Sequence, residues 1–196
     1  MMVGRIGEQG QLALRNATVL IVGMGGLGNP VSLYFAAAGI GKLIIADDDQ
    51  IDISNLQRQI LFNENDVKQS KVETAAEKLQ QLNSDVEVEV VDEKIDQELA
   101  DYYLEQVDLV VDCTDNIDAR YLLNDYCLKH KTPLIIGAAT GFDGQQLVID
   151  PRNPDSACYQ CLFPKSKKAP VNNCQTIGAY SKGIPIYAAR SSVPTI

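Results

Sequence analysis

Six short apolar runs punctuate the chain, at 18–23, 43–46, 86–91, 108–112, 133–137 and 145–149. Runs of this length, bounded by polar or glycine-containing stretches, read as strands. Helical periodicity with good helix formers fills the intervals, most clearly at 70–82. Strand and helix in alternation predict an α/β fold, a doubly wound, Rossmann-like and mostly parallel sheet with helices on both faces. Such sheets bind ligands in the crevice beyond the carboxyl ends of their strands. Three polar or glycine-rich segments follow strands and would meet there: Gly23 to Gly28, Asp47 to Asp49, and Asp112 to Asn116.

The first segment sharpens the picture. Val-Leu-Ile-Val-Gly-Met-Gly-Gly-Leu-Gly at 19–28 runs a strand into a glycine turn, with Gly23, Gly25 and Gly28 in G-x-G-x-x-G spacing. That turn brings backbone N–H groups and a helix N-terminus up to phosphate, and an acid ending the next strand, here Asp47, would hold ribose. The pattern alone suits NAD or FAD. Ser54-Asn55-Leu56-Gln57-Arg58-Gln59 and then Lys71 add an amide, a guanidinium and an ammonium, which are handles for a triphosphate. Taken singly, Arg58 and Lys71 read as solvated charges, and Asp115 or Asn116 as a helix cap. Asp48 points away from its neighbours in an extended segment and reads as surface charge. His130, beside Lys129 and Lys131, reads as a solvated helix end with no role.

Composition narrows the classes. The chain has 196 residues, 45% of them hydrophobic, enough for one well-buried domain and too few for two large ones. A net charge of −9 argues against a nucleic-acid binder, which needs clustered Lys and Arg. No apolar run reaches the length of a membrane span and no signal core opens the chain, so a cytoplasmic protein without membrane contact is expected. Residues 1–150 are expected to form a nucleotide-binding domain. Residues 151–196, with Pro151, Pro154, Pro164 and Pro170, read as a crossing loop and tail.

Five cysteines, an odd count without secretory context, read as thiols or metal ligands. Cys113 and Cys127 lie in a strand end and a helix and read as buried packing thiols. Cys158 and Cys161 have C-x-x-C spacing, open to a zinc or a redox reading.

Together, Gly-Met-Gly-Gly-Leu-Gly at 23–28, Ala-Asp-Asp-Asp at 46–49, Ser-Asn-Leu-Gln-Arg-Gln at 54–59, Lys71, Asp-Cys-Thr-Asp-Asn at 112–116 and Cys-Tyr-Gln-Cys at 158–161 resemble the ThiF/MoeB family. These are bacterial relatives of ubiquitin-activating enzymes. The resemblance runs from about Arg5 to about Gly178. Leu-Ile-Ile-Ala-Asp-Asp-Asp, Arg-Gln-Ile-Leu-Phe and Thr-Gly-Phe-Asp-Gly-Gln look closer to the ThiF branch, which activates the sulfur carrier of thiamine thiazole synthesis, than to the molybdopterin branch.

The resemblance implies ATP-dependent adenylation of a ubiquitin-like sulfur carrier ending in Gly-Gly, most of the catalysis being charge neutralisation. It implies nucleotide binding by Gly23, Gly25, Gly26, Gly28, Asp47, Asp49, Ser54, Asn55, Arg58, Lys71, Asp115 and Asn116. Arg58, Lys71 and Asp115 would be catalytic, with Asp115 holding Mg2+. Cys174 matches a cysteine in the loop crossing the site, the candidate thiol for acyl capture or a sulfur relay with a persulfide-donating sulfurtransferase. Cys158 and Cys161 would supply half of a zinc site whose second C-x-x-C this chain does not show. A homodimer is implied as well.

The family's N-terminal Arg-x-x-Arg-Gln arm is not matched, and Arg5 does not stand for it. After Gly178 the sequence departs from the family, and Pro185 and Pro194 forbid one continuous helix, which suggests a truncated or frame-shifted end. Two rivals remain: an NAD-dependent oxidoreductase on the same glycine turn, and a non-catalytic scaffold that binds the carrier without adenylating it.

Overall fold

The computed structural model describes residues 6–165. Arg5, Cys174, Pro185 and Pro194, and with them the expectations for the crossing-loop thiol and the tail, lie outside the described residues. The elements are α1 (Gly7–Asn16), β1 (Thr18–Val22), α2 (Gly28–Ala38), β2 (Lys42–Ala46), α3 (Lys71–Leu82), β3 (Glu87–Val91), α4 (Gln97–Leu104), β4 (Leu109–Asp112), α5 (Ile117–His130), β5 (Leu134–Thr140), β6 (Asp143–Ile149) and α6 (Tyr159–Leu162). Two short 3-10 turns, Ile53–Asn55 and Glu64–Asp66, lie between β2 and α3.

The six strands form one sheet in the order β3-β2-β1-β4-β5-β6. All neighbours are parallel except β5 and β6. The order reverses at β1, whose neighbours are β2 and β4, and this is where a doubly wound sheet opens its crevice. β1 is apolar from Val19 to Val22 because both its faces are covered. Val19 and Ile21 pack with Phe35, Val72 and Leu79 on the α2–α3 side. Leu20 and Val22 pack with Leu104, Leu123 and Cys127 on the α4–α5 side. Each such large side chain contributes about 1.5–3 kcal/mol on burial.

Helix starts are fixed by side chains read directly from the sequence. Ser70 accepts from the Glu73 N–H at the start of α3, and Asp96 accepts from the Glu98 and Leu99 N–H groups at α4. The predicted helix at 70–82 and the strand positions agree with the observed elements. The last two strands are longer than the apolar runs alone indicate and meet at a turn containing Gly141, whose φ is +59°. In that hairpin, polar outward positions continue the ladder through backbone pairing, which an apolar run does not register. α6 follows the hairpin and is tied to α5 by the Tyr159 N–H, which donates to Asn124 Oδ1 at 2.8 Å.

Candidate nucleotide site

β1 ends at Val22, and Gly23 turns the chain with φ +93°. A Cβ there would stand 2.9 Å from the Cys113 carbonyl carbon and oxygen, and a Cβ on Gly28 would stand 1.9 Å from the Gly23 carbonyl oxygen. Gly23 and Gly28 are therefore packing requirements that press β1, the end of β4 and α2 together. Gly25 and Gly26 line the cleft itself. α2 begins without a side-chain cap and without an acid in its first turn. Its positive dipole end lies at the glycine turn; Pro30 offers no N–H, and those of Asn29 and Val31 are bonded to the Gly25 and Leu27 carbonyls, so contact with an anion falls to the dipole and the turn's own backbone.

β2 delivers Asp47, whose Oδ2 accepts from the Met24 N–H at 2.6 Å and whose Oδ1 accepts from the Asp49 N–H at 2.9 Å. Asp47 thus holds the glycine turn as well as facing the cleft. Burial raises its pKa, and the Lys71 ammonium works against that rise. Lys71 opens α3 with its side chain only 6% exposed; Nζ donates to Asp49 Oδ2 at 2.7 Å and lies 3.6 Å from Asp47 Oδ1. Asp47, Asp48 and Asp49 are close enough to share a cation, but the Lys71 ammonium already sits against two of them. Asp48 is exposed, as its position in the extended segment predicts.

The loop after β2 contributes Asn55 and Arg58, with Arg58 Nη2 donating to Asn55 Oδ1 at 2.6 Å. Both line the cleft, as does the buried Gln59. Asn29 clamps this loop to α2: its Nδ2 donates to the Met24 carbonyl at 2.7 Å and its Oδ1 accepts from the Leu61 N–H at 2.9 Å. Ser54, expected to bind nucleotide, stands apart from the lining residues. Its hydroxyl donates to Asp52 Oδ1 at 2.5 Å at an exposed 3-10 start, and it does not line the cleft. Asp52 two residues earlier captures the hydroxyl and N–H locally, a competition the sequence does display.

The opposite wall is the loop from β4 to α5. Asp115 is exposed, lines the cleft and has no hydrogen bond or ion pair among the described residues. Asn116 also borders the cleft, but its Oδ1 caps α5, accepting from the Asp118 N–H at 2.9 Å and the Ala119 N–H at 3.3 Å. The helix-cap reading holds for Asn116, whose oxygen is committed to α5; the cap leaves its amide nitrogen for the expected nucleotide contact. A buried pair braces the loop. Arg120 Nε donates to Asp112 Oδ2 at 3.0 Å and Nη2 to the Thr114 carbonyl at 2.7 Å, while Asp112 Oδ1 accepts from the Thr114 N–H and hydroxyl. Gln59, Asn29 and Arg120 were not among the expected site residues. The only local hint is Gln59 beside Arg58; Asn29 and Arg120 gain their roles from partners far along the chain or a helix turn away.

These walls enclose a cleft of about 510 Å³ running from the glycine turn to Ala138, Ala139 and Thr140 on β5. One wall carries Lys71, Arg58 and the α2 N-terminus beside the carboxylates of Asp47, Asp48 and Asp49, and the other carries Asp115, so the cleft can hold a polyanion against the two cations with a metal cation between its charges and Asp115.

The remaining candidates lie elsewhere. Cys113 and Cys127 are buried, and burial raises both thiol pKa values, as packing thiols should show. Cys158 and Cys161 place their sulfurs 3.3 Å apart, with Cys161 exposed and its pKa lowered by hydrogen bonding from Cys158. Two thiols are half of the four ligands that a structural zinc takes. His130 corrects the expectation of a solvated imidazole. Its side chain is 11% exposed and Nε2 lies 2.6 Å from Asp101 Oδ1 on α4.

The chain is similar to several known proteins. The sulfur carrier protein ThiS adenylyltransferase of Escherichia coli (strain K12) is 38% identical over 191 residues, covering 97% of this chain and 75% of that protein. The adenylyltransferase and sulfurtransferase MOCS3 of Culex quinquefasciatus is 42% identical over 197 residues, covering 100% of this chain and 44% of that protein. The crystal structure of E. coli MccB with ATP matches with a TM-score of 0.79 at 28% identity, over 93% of this chain and 55% of that one. The chain therefore spans three quarters of one relative and about half or less of the other two. The ThiF family model matches residues 1–193, and the chain belongs to the ThiF family.

Proposed function

We propose that this chain adenylates the C-terminal glycine carboxylate of a ubiquitin-like sulfur carrier ending in Gly-Gly, using ATP. The observation that carries this reading is the cleft's division of charge, with Lys71, Arg58 and the uncapped α2 N-terminus on one wall and the unpaired Asp115 on the other.

A carrier carboxylate oxygen attacks the α-phosphorus of ATP. The new oxygen–phosphorus bond forms as the bond from that phosphorus to the bridging oxygen breaks, and pyrophosphate leaves with the electron pair. The nucleophile is already ionised and no proton moves, so no general base is needed. The chain's one histidine, His130, accordingly lies away from the cleft. What the reaction needs is relief of repulsion between two anions. Lys71, held in place by Asp47 and Asp49, and Arg58, held by Asn55, supply fixed positive charge in a half-enclosed site. Asp47 keeps the glycine turn in position and presents its carboxylate to the ribose. Asp115 suits Mg2+, an exposed carboxylate free to take a hard cation. Bound there, Mg2+ would neutralise phosphate charge.

The reading extends to a ThiS-type carrier of thiamine thiazole synthesis, supported by the strand and loop stretches noted above and by the Escherichia coli relative. The 42% identity to MOCS3 favours a second reading with a molybdopterin-type carrier. A homodimer, a persulfide-donating sulfurtransferase partner acting with Cys174, and a cytoplasmic location complete the proposal. Among the described residues no helix is long and apolar enough to cross a membrane. ATP–pyrophosphate exchange with each carrier type, using Asp115→Asn as control, tests the whole. Exchange that depends on one carrier and is lost in the control is expected; folded protein that binds ATP yet exchanges with neither carrier overturns the enzyme in favour of a carrier-binding scaffold.

A further inference from the structure

The Asp115 side chain makes no hydrogen bond or ion pair among the described residues, but its neighbours are held on both sides. The peptide joining it to Thr114 offers its carbonyl to Arg120 Nη2 at 2.7 Å, and the Thr114 N–H and hydroxyl lie 2.9 and 2.7 Å from Asp112 Oδ1. On the far side, the Asn116 carbonyl lies 3.3 Å from the Thr114 hydroxyl, and Asn116 caps α5. The fork that grips Thr114 is itself packed by a residue that does not line the cleft, Tyr159 of α6. Tyr159 is 6% exposed, and its ring centroid lies 5.8 Å from the Arg120 guanidinium carbon. The rings of Tyr121 and Phe163 stand 5.2 and 5.0 Å from it, and its N–H donates at 2.8 Å to Oδ1 of the fully buried Asn124. Burial works against the charge of Arg120, while Asp112 and Tyr159 favour it and leave its pKa raised.

Resting on the nucleotide reading above, we propose that Tyr159 is a positioning residue for Asp115: packed against Arg120, it keeps the guanidinium on the Thr114 carbonyl and so fixes where the Asp115 carboxylate meets the metal of the ATP complex. The case is geometric. Mg2+ demands near-ideal octahedral geometry, so a carboxylate hung from an unheld loop would approach it in many poses and bind it in few. Groups that hold a metal ligand from behind are worth about 10–100-fold in metal affinity. Arg120 has a long side chain with many rotamers, and its planar fork serves Asp112 and Thr114 together only while that plane is fixed. Tyr159, itself fixed by Asn124 and two neighbouring rings, supplies the surface that fixes it.

The test titrates Mn2+, a stand-in for Mg2+ seen by electron paramagnetic resonance, into protein holding an ATP analogue that cannot be cut between its α- and β-phosphates. Wild type is compared with Asp115→Asn, Tyr159→Leu, Tyr159→Phe and Arg120→Lys, each with a thermal melt to show that it is folded at the assay temperature. Asp115→Asn sets the scale of the loss. Tyr159→Leu is expected to weaken Mn2+ binding about tenfold, and Tyr159→Phe, which keeps the ring, by less. Arg120→Lys keeps a charge beside Asp112 but has no second arm for the Thr114 carbonyl, so a loss of up to about a hundredfold is expected. It also serves as the test should Tyr159→Leu fail to fold. Affinity for the metal-free analogue is expected to hold in every variant. Mn2+ affinity unchanged from wild type in folded Tyr159→Leu or Arg120→Lys overturns the proposal. So does a metal-free affinity that falls in step with it, the mark of a residue that merely supports the cleft. Mn2+ affinity unchanged in Asp115→Asn overturns the metal role of Asp115 on which the proposal rests.

Discussion

Lys71 and Arg120 are both cations buried at the carboxyl end of the sheet and both meet carboxylates, yet the partners differ. Asp112, paired with Arg120, has no exposed side-chain surface, while Asp49, paired with Lys71, is 60% exposed. Arg120 also donates to the Thr114 carbonyl and lies over the Tyr159 ring at 5.8 Å, so it serves its own loop and the α6 contact. The Lys71 pair opens to the cleft and to water on the Asp49 side. A closed pair braces its loop, and the proposed function asks the open pair to bind.

The sharpest way to break this contrast is Arg120→Leu. It leaves Asp112 buried without its cation, and about 3–5 kcal/mol of stability is expected to go, read as a lower urea midpoint. Lys71→Met should cost less stability, because Asp49 rehydrates and the buried Asp47 keeps its Met24 and Asp49 N–H donors, and should instead lower carrier-dependent exchange by about 10²–10³-fold. A stability loss for Lys71→Met equal to that of Arg120→Leu would erase the distinction. The same variant has a pH signature. The folded pKa of Asp47 is raised by burial, so its contribution is most favourable below the ordinary aspartate pKa and is lost as pH rises through the folded value. Without Lys71 to oppose that rise, melting temperature should fall more steeply between acid and neutral pH than in wild type. The smallest effect concerns the neighbour of Asp115. Asn116→Ala removes a helix cap at a cost of about 1 kcal/mol, with ATP affinity unchanged in the titration. A large loss of affinity there would make Asn116 a ligand group as well as a cap.

The strands were legible because a sheet covered on both faces needs short, nearly continuous apolar runs, and β1 and β2 supply them. Gly25, Asp47, Asn55, Arg58, Lys71 and Asp115 were legible because each stands at a fixed distance after a strand in a recurring order, and the cleft brings them together. Ser54 and Asn116 were assigned to nucleotide although each has a local competitor, Asp52 for one and the first turn of α5 for the other. Arg120 and Asn29 escaped because a buried polar side chain reads like a surface one until its partner is placed. Asp112 meets Arg120 only when the loop after β4 folds back, and Leu61 meets Asn29 across 32 residues.

That last contact also governs motion. By gripping the Met24 carbonyl with one end of its amide and the Leu61 N–H with the other, Asn29 makes the glycine turn, α2 and the Arg58 loop a single jaw. A jaw pinned in this way moves only as one piece, so the glycine turn and Arg58 keep their spacing whatever stands in the cleft.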